Sequence, residues 1–225
     1  ASLITVPILV GLFARVEKGE LSLDDRVRVL KVDKVPGSGM LQSFHDGLEV
    51  TIRDLAMLMI TISDNTATNL VLDKVPMRLV WAKMEALGLP RTKVHSKSFQ
   101  RNTSVAMDSS AKYGLGVTTP NEMARLYTLM AQGQAVSPGA DSTMLAIMRG
   151  TQSEDKLQRH AGGVRAAHKS GETDQVRTEC TLWYLKQRVV ACVMTNENQD
   201  TRWIIDNEPN LLMAAMGRRI IESLR

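Results

Sequence analysis

The sequence is poor in aromatic residues and has no apolar run of the length that crosses a membrane. Aromatic residues make up 4% of the chain and charged residues 23%. The formal net charge of +4 comes from scattered lysines and arginines. Since nucleic-acid sites combine clustered cations with stacking aromatics, we expect no nucleic-acid partner. A solvated surface explains the mild basicity, although the same charge also suits an anionic substrate.

Cysteine and histidine are scarce too. The four histidines and two cysteines show no metal-ligand spacing, so we expect neither a metal nor a cofactor. Cys180 and Cys192 fall in two adjacent predicted strands. A cross-strand disulfide is open to them, but we favour buried free thiols.

Hydrophobic periodicity divides the chain into a helical part and a strand-rich part. With 225 residues, of which 44% are apolar, it can form one sizeable core or two interlocked subdomains. The spacing predicts helices over 3–16, 51–62, 65–74, 77–87, 121–132 and 141–148. It predicts strands over 166–169, 176–185 and 188–195, then a terminal helix over 211–224 with the apolar face Leu212, Met216, Ile220 and Leu224. We therefore predict a mainly helical subdomain over 1–160 and a sheet subdomain over 161–225.

A polar triplet interrupts the helical part where an apolar run ends. Ser63, Asp64 and Asn65 follow the run at 57–62, and the helical pattern resumes at Leu70. Taken alone, such a triplet is typical of a turn or a helix N-cap. The Pro-Gly-Ser-Gly stretch at 36–39 predicts a loop beside it, with Leu41 or Phe44 either as an apolar wall or as a loop anchor.

Two further motifs flank the triplet at a distance. Ser2 lies at the N-terminus of the first predicted helix with Thr5 three residues later, and Lys169-Ser170-Gly171 begins at the last residue of the first predicted strand of the sheet. The signatures S-x-x-K, S-D-N and K-T-G are typical of class A β-lactamases and penicillin-binding proteins. Here the second motif is intact, the third is a close variant, and Thr5 stands where the first motif has lysine.

Longer segments carry the same resemblance. The stretches LITVPILVGLFARVEKGELSLDDRV, GVTTPNEMARL and NLLMAAMGRRIIESLR are similar to class A segments and come in class A order. The chain therefore resembles this family over nearly its whole length. The resemblance implies an α/β (α+β) fold of two subdomains, in which helices flank an antiparallel sheet. It also implies a periplasmic or secreted protein, and a preceding helix and two strands that were removed or form a separate segment completing the sheet.

The resemblance assigns roles to particular residues. Ser2 is the nucleophile, although taken alone it also suits an N-cap. Ser63 relays a proton to the leaving group, and Asn65 holds the substrate amide. Lys169 polarises Ser63 and favours an anionic substrate, and Ser170 binds its carboxylate.

The strand after the third motif supplies further candidates. The backbone N–H groups of Ser2 and Glu172, the latter next to Gly171, are expected to form an oxyanion hole. Arg177 is either a second partner for a substrate carboxylate or an ordinary surface arginine.

Two departures from the family pattern limit the expected activity. A threonine hydroxyl cannot serve as a general base near neutral pH and is too short to reach Asn65. The family's omega-loop glutamate activates the deacylating water, yet no glutamate stands between Glu85 and Glu122. Asp108 is the only acid there, and we interpret it as a loop or cap residue rather than a substitute base.

These observations predict an impaired serine hydrolase that forms an acyl-enzyme. Its substrates would be β-lactams, D-alanyl peptides or small esters with a carboxylate, and its deacylation would be poor. Thr5 either marks the loss of a lysine or belongs to a different reaction; the surrounding helix favours the loss. The alternative is an inactive module that binds a ligand or partner in the same cleft.

Overall fold

The computed structural model describes residues 1–224, and its helices pack around one buried helix near the amino end. Helix α1 (Thr5–Glu17) continues a 3₁₀ turn at Ser2–Ile4, and its residues from 5 to 13 are all buried. Apolar side chains dominate this stretch, so burial on all sides stabilises it. The first predicted helix is therefore confirmed, with its first turn in the tighter 3₁₀ form.

In the described part of the chain, six more helices between residues 52 and 148 surround or extend this core. They are α2 (Ile52–Thr61), α3 (Asn65–Lys74), α4 (Met77–Ala86), α5 (Met107–Tyr113), α6 (Pro120–Gln132) and α7 (Pro138–Met148). Thr51 and Asp54 form a capping box at the start of α2, and the Thr119 hydroxyl caps α6, which begins with proline. Helix α5 was not predicted, because its seven residues are too few to establish a period.

Seven strands form three antiparallel sheets within the described residues 1–224. Strand β1 (Arg26–Val29) pairs with β2 (Leu48–Thr51), and β3 (Lys93–Val94) pairs with β4 (Gly116–Val117). The largest sheet has the order β5 (Ala166–Thr173), β6 (Val176–Tyr184), β7 (Arg188–Thr195). The mixture of helices and antiparallel strands confirms the predicted fold class, whereas the boundary at residue 160 stays a prediction.

The large sheet is covered on both faces. Cys180 and Leu182 of β6 join the core formed with the helices, and the alternate residue Trp183 points to the opposite face. There Trp183 packs with Met213 and Ile221 of the terminal helix α8 (Glu208–Leu224). Successive side chains of β6 point to opposite faces of the sheet, so the strand contributes to two cores. None of the helices described over 1–224 combines the length and apolarity needed to cross a membrane.

The predicted apolar face of α8 is wrong at Leu212 and Met216, whereas the predicted Ile220 is half-buried and packs against the core that contains Trp183. Met213, Gly217 and Ile221 are buried, whereas Leu212 and Met216 are exposed. A Cβ on Gly217 would lie 2.1 Å from the carbonyl oxygen of Leu157. This close approach of the two backbones places the side of α8 that carries Gly217 against the core. The sequence prediction missed this side, because glycine has no apolar side chain to contribute to the hydrophobic period.

The prediction of free thiols is also wrong. Cys180 and Cys192 stand directly opposite each other on β6 and β7 and form a disulfide with an S–S distance of 2.04 Å. Directly opposed residues of an antiparallel pair bring their Cβ atoms within reach of a disulfide. The sequence placed the two strands side by side, but it did not give their register.

Candidate active site

A cleft lies between the helical part of the chain and the edge strand β5. Its cavity volume is about 840 Å³. The residues that line it and that the sequence had singled out are Ser2, Ser63, Asn65, Lys169, Ser170, Gly171 and Glu172. The three motifs, far apart in the chain, thus meet in one cavity of the size that holds a small molecule.

Ser2 lies at the start of the 3₁₀ turn that leads into α1. The N-cap positions of the turn and of the helix are Ala1 and Ile4, and neither makes a side-chain cap. Ser2 is therefore not an N-cap, and it is half-buried at the cleft. Backbone N–H groups at the start of a helix favour negative charge nearby.

The Thr5 hydroxyl is hydrogen-bonded to the local backbone. Its side chain is buried, and its hydroxyl donates a hydrogen bond of 2.8 Å to the carbonyl oxygen of Ser2. A hydroxyl bonded back into its own helix turn is a typical arrangement for threonine. The position of the family lysine is thus filled by a group that supplies no base.

Gly171 of strand β5 lies close to the 3₁₀ turn at Ser2–Ile4. A Cβ at this position would lie 2.5 Å from the backbone nitrogen of Leu3 and 2.8 Å from that of Ser2. Only glycine allows the two backbones to come so close. The glycine of the third motif therefore sets the distance between the strand and Ser2.

The S-D-N triplet is held in place by its central residue. Asp64 is buried, and its carboxylate accepts hydrogen bonds from the backbone N–H groups of Met40 (2.6 Å), Leu41 (2.9 Å) and Ala67 (2.8 Å). It thereby caps α3 and anchors the neighbouring loop. Ser63 itself has a φ of 57°, which is uncommon outside glycine and typical of functional sites.

Lys169 connects the strand motif to the triplet. Its Nζ donates hydrogen bonds to the Ser63 hydroxyl (3.1 Å) and to the carbonyl oxygen of Ser170 (2.6 Å). The pKa of Lys169 is lowered to about 7, mainly by burial and also by the nearby charge of Lys156, while Glu179 and Glu172 oppose the shift. A lysine with such a pKa can exchange a proton near neutral pH.

Asn65 is tied to the loop at 36–39. Its side-chain amide donates a hydrogen bond of 3.1 Å to the carbonyl oxygen of Pro36, and its backbone N–H donates one of 3.1 Å to that of Ser38. The Ser38 hydroxyl in turn donates to the carbonyl oxygen of Ser63 (2.7 Å). These bonds orient the amide of Asn65 at the cleft wall.

Glu172 of β5 and Arg177 of β6 are paired with other groups of the protein. Glu172 forms an ion pair with the fully buried Lys156. Arg177 is also buried, and it donates to the backbone carbonyls of Thr173, Val176 and Arg202. The interpretation of Arg177 as a surface arginine is therefore wrong. It is absent from the described lining of the cavity, and its contact with a substrate carboxylate stays a prediction.

Sequence reasoning missed three aromatic residues of the cleft. Phe99, Tyr113 and Trp203 line the cavity, whereas the candidate Leu41 is buried as a loop anchor and Phe44 lies outside the described lining. The missed residues belong to segments without hydrophobic periodicity, so no local signal pointed to them.

The cleft offers no spare carboxylate in the described part of the chain. Glu172 is the only acidic residue along its lining, and Lys156 holds it. Asp108 lies in the first turn of α5 and is exposed. The first glutamate after the aperiodic segment, Glu122, accepts hydrogen bonds from the backbone N–H of Arg91 and the hydroxyl of Thr92.

Known proteins resemble this chain in sequence and in fold. A family model described as the beta-lactamase enzyme family matches residues 1–224. No curated protein matches the chain. Among solved structures, a β-lactamase from Sphaerobacter thermophilus is similar at 27% identity and a TM-score of 0.86, covering 100% of this chain and 82% of its own.

A second similar structure is that of PBP-A. It is 28% identical, with a TM-score of 0.85, and the match covers 99% of this chain and 80% of the other. A point mutant of PBP-A, solved as an acyl-enzyme complex with penicillin G, is 26% identical with a TM-score of 0.84 and the same coverage.

Proposed function

Since the chain belongs to the beta-lactamase enzyme family, we propose that it is a serine hydrolase whose Ser2 accepts an acyl group from a small carboxylate substrate. The observation that carries the proposal is the meeting of Ser2, Ser63 and Lys169 in one cleft, with Lys169 bonded to the Ser63 hydroxyl at 3.1 Å. The substrate classes are β-lactams, D-alanyl peptides and small esters.

The acylation step uses Lys169 as the proton acceptor in place of the missing lysine. The Ser2 hydroxyl attacks the substrate carbonyl, and its proton passes through the Ser63 hydroxyl to neutral Lys169. When the tetrahedral intermediate collapses, Ser63 returns a proton to the leaving nitrogen or oxygen. The lowered pKa of Lys169, about 7, supports this exchange because a sizeable fraction is neutral at physiological pH.

The backbone N–H groups of Ser2 and Glu172 stabilise the oxyanion that forms on the carbonyl. They belong to the two segments that Gly171 allows to touch. Backbone donors fixed in this way need no reorganisation during the reaction, and removing one such donor typically costs a factor of about 10² to 10³. The proposal uses the main chain of Glu172 and leaves its carboxylate paired with Lys156.

Substrate binding involves the two ends of the cleft. Ser170 and Lys169 meet the substrate carboxylate, and the Asn65 amide meets a substrate amide. A fixed carboxylate and a fixed amide hold the scissile carbonyl near Ser2, which lowers the entropic part of the barrier.

Deacylation is slow in this proposal. No carboxylate along the described lining is free to activate water, because Glu172 is paired. We therefore expect behaviour nearer a penicillin-binding protein or an esterase than an efficient β-lactamase.

Intact mass spectrometry tests the proposal. The protein is incubated with penicillin G and with a small activated ester, beside the variant Ser2→Ala. A covalent adduct that requires Ser2 and persists supports slow acyl transfer. Rapid steady-state hydrolysis of penicillin G would contradict the slow deacylation, and an adduct retained in Ser2→Ala would contradict the role of Ser2.

The second candidate is a binding module without catalysis. The commitment of Thr5 to the Ser2 carbonyl favours it, because the usual base is absent. This alternative predicts saturable binding of a ligand, no adduct at Ser2, and an affinity that Ser2→Ala leaves unchanged.

A further segment that completes the sheet, and a periplasmic or secreted location, are part of the same proposal. The exposed apolar side chains of Leu211, Leu212 and Met216 on α8 support a covering segment, since such residues together mark an interaction surface. Native mass spectrometry of protein purified from its source tests it: a second polypeptide bound to this chain is expected, and its absence would contradict a separate segment.

A further inference from the structure

Two exposed aromatic side chains stand on opposite walls of the cleft. Phe99 is 67% exposed and Trp203 is 63% exposed, although both line the cavity. Phe99 belongs to the wall that carries Asn65, whereas Trp203 lies beside the turn that follows β5. Large apolar side chains left in solvent at a cavity typically mark a binding surface.

Phe99 is held in this position against its own backbone preference. Its φ is 58°, a value that is unfavourable for a bulky residue. The preceding residue is clamped, because the buried Asn69 side chain donates to the carbonyl oxygen of Ser98 (3.0 Å) and accepts from its N–H (2.8 Å). A strained residue that also keeps its ring in solvent gains nothing for folding, so a role in the cleft accounts for it.

Trp203 is oriented as firmly. Its indole N–H donates a hydrogen bond of 2.9 Å to the carboxylate of Asp174, and the guanidinium of Arg177 lies 5.1 Å from its ring centre. Arg177 is itself fixed by backbone carbonyls. A ring fixed before the ligand arrives loses little conformational entropy on binding.

Asn65 shows which part of a substrate meets these rings. A Cβ built on Gly37 would lie 2.6 Å from the Asn65 amide nitrogen and 3.0 Å from the ring of Phe99. The amide and the ring are therefore neighbours. A substrate whose amide meets Asn65, and whose carboxylate meets Ser170, directs the group beyond its amide toward Phe99.

We propose that Phe99 and Trp203 form an aromatic clamp that selects substrates whose amide carries an arylacetyl or similar aromatic acyl group. This inference rests on the proposed function, since it assumes that Asn65 binds the substrate amide. Aromatic rings in the two walls favour an aromatic ligand group through offset or edge-to-face contacts and through burial of apolar surface.

Equilibrium binding to Ser2→Ala tests the clamp without any chemistry. The two probes are penicillin G, which carries a phenylacetyl amide, and 6-aminopenicillanic acid, which lacks that group. We expect penicillin G to bind about tenfold more tightly, and the preference to fall about fivefold in Phe99→Ala and in Trp203→Ala. Phe44→Ala is the matched control, because Phe44 is an exposed phenylalanine outside the described lining, and it should keep the full preference.

Equal affinity for the two probes, or a preference that neither variant reduces, would overturn the clamp. A second pair, N-phenylacetyl- and N-acetyl-D-alanyl-D-alanine, repeats the test without a β-lactam ring, and failure to bind either pair would overturn the clamp as well. The proposed function fails separately, when the protein with Ser2 forms no adduct. Binding with the expected preference but without an adduct would support the clamp and contradict the hydrolase.

Discussion

The hydroxyl of Thr5 donates a hydrogen bond of 2.8 Å to the carbonyl oxygen of Ser2. The residue that stands where the family has its lysine thus uses its hydroxyl to bind the backbone of Ser2. Lys169, whose amine donates to the Ser63 hydroxyl, lines the same cleft as Ser2. In the proposed mechanism, acyl transfer therefore depends on a base from β5, which is Lys169.

Restoring the lysine is expected to accelerate acylation. The loss of a positioned base typically costs about 10² to 10⁴ in rate, so Thr5→Lys should gain up to this factor. Stopped assays of adduct formation with penicillin G measure it. Thr5→Met, which is long but has no amine, is the control and should gain nothing; an equal gain in both variants would show that packing, not a base, was limiting.

The pH dependence of acylation is expected to follow Lys169. Its pKa of about 7 means that the neutral form, which accepts the proton, grows as the pH rises through 7. The adduct-forming rate should therefore increase through this range and level off above it. In Lys169→Arg, whose side chain stays charged, adduct formation should be slow and should not accelerate as the pH rises. A rate of adduct formation that falls between pH 6 and about 8 in the parent protein would argue against Lys169 as the base.

Asp64 is expected to act through stability. Its carboxylate accepts three backbone hydrogen bonds in a buried position, and each buried donor left unpaired costs about 1 to 3 kcal/mol. Asp64→Ala should therefore lower the free energy of unfolding by about 3 kcal/mol or more in denaturant titrations. Asp24→Ala breaks only an exposed ion pair with Arg53 and should cost less than about 1 kcal/mol. Similar losses in the two variants would refute the anchoring role.

The disulfide is expected to stabilise the sheet behind Lys169. Lys169, Cys180 and Cys192 occupy one register row across β5, β6 and β7. The two cysteines are 12 residues apart in sequence, so the bridge closes a short loop. Closing a loop of this length stabilises the folded protein by about 3 kcal/mol. Adding a reductant should lower the unfolding midpoint of the parent protein. The double variant Cys180→Ala/Cys192→Ala should have a lower unfolding midpoint than the parent, and the reductant should not change it. An equal effect of the reductant on the parent and on the double variant would exclude the bridge.

Sequence reasoning reached the parts of the fold that local physics determines. The capping residues Thr51 and Thr119 set the starts of α2 and α6, and the alternation of apolar residues gave the strands of the large sheet. It did not reach what depends on contacts between distant segments. The register that opposes the two cysteines, and the approach of Gly217 to Leu157, have no local signature.

The site divides in the same way. The three motifs are visible because they are short and ordered, and the structure places them in one cleft. The aromatic side chains Phe99 and Trp203 cannot be recognised in the sequence, because they belong to aperiodic segments. They are held at the cleft by the hydrogen bond between Ser98 and Asn69 and by the hydrogen bond between Trp203 and Asp174. The burial of Arg177 likewise depends on carbonyls such as that of Arg202, which is distant in sequence.

The most direct test of acyl transfer to Ser2 is the intact mass of Thr5→Lys during incubation with penicillin G, with the adduct mapped by peptide digestion. We predict that the protein gains the mass of one penicillin molecule on Ser2 and keeps it, because no free carboxylate lines the described cleft to activate water. A protein that never gains this mass, or that carries it on another residue, would contradict acyl transfer to Ser2.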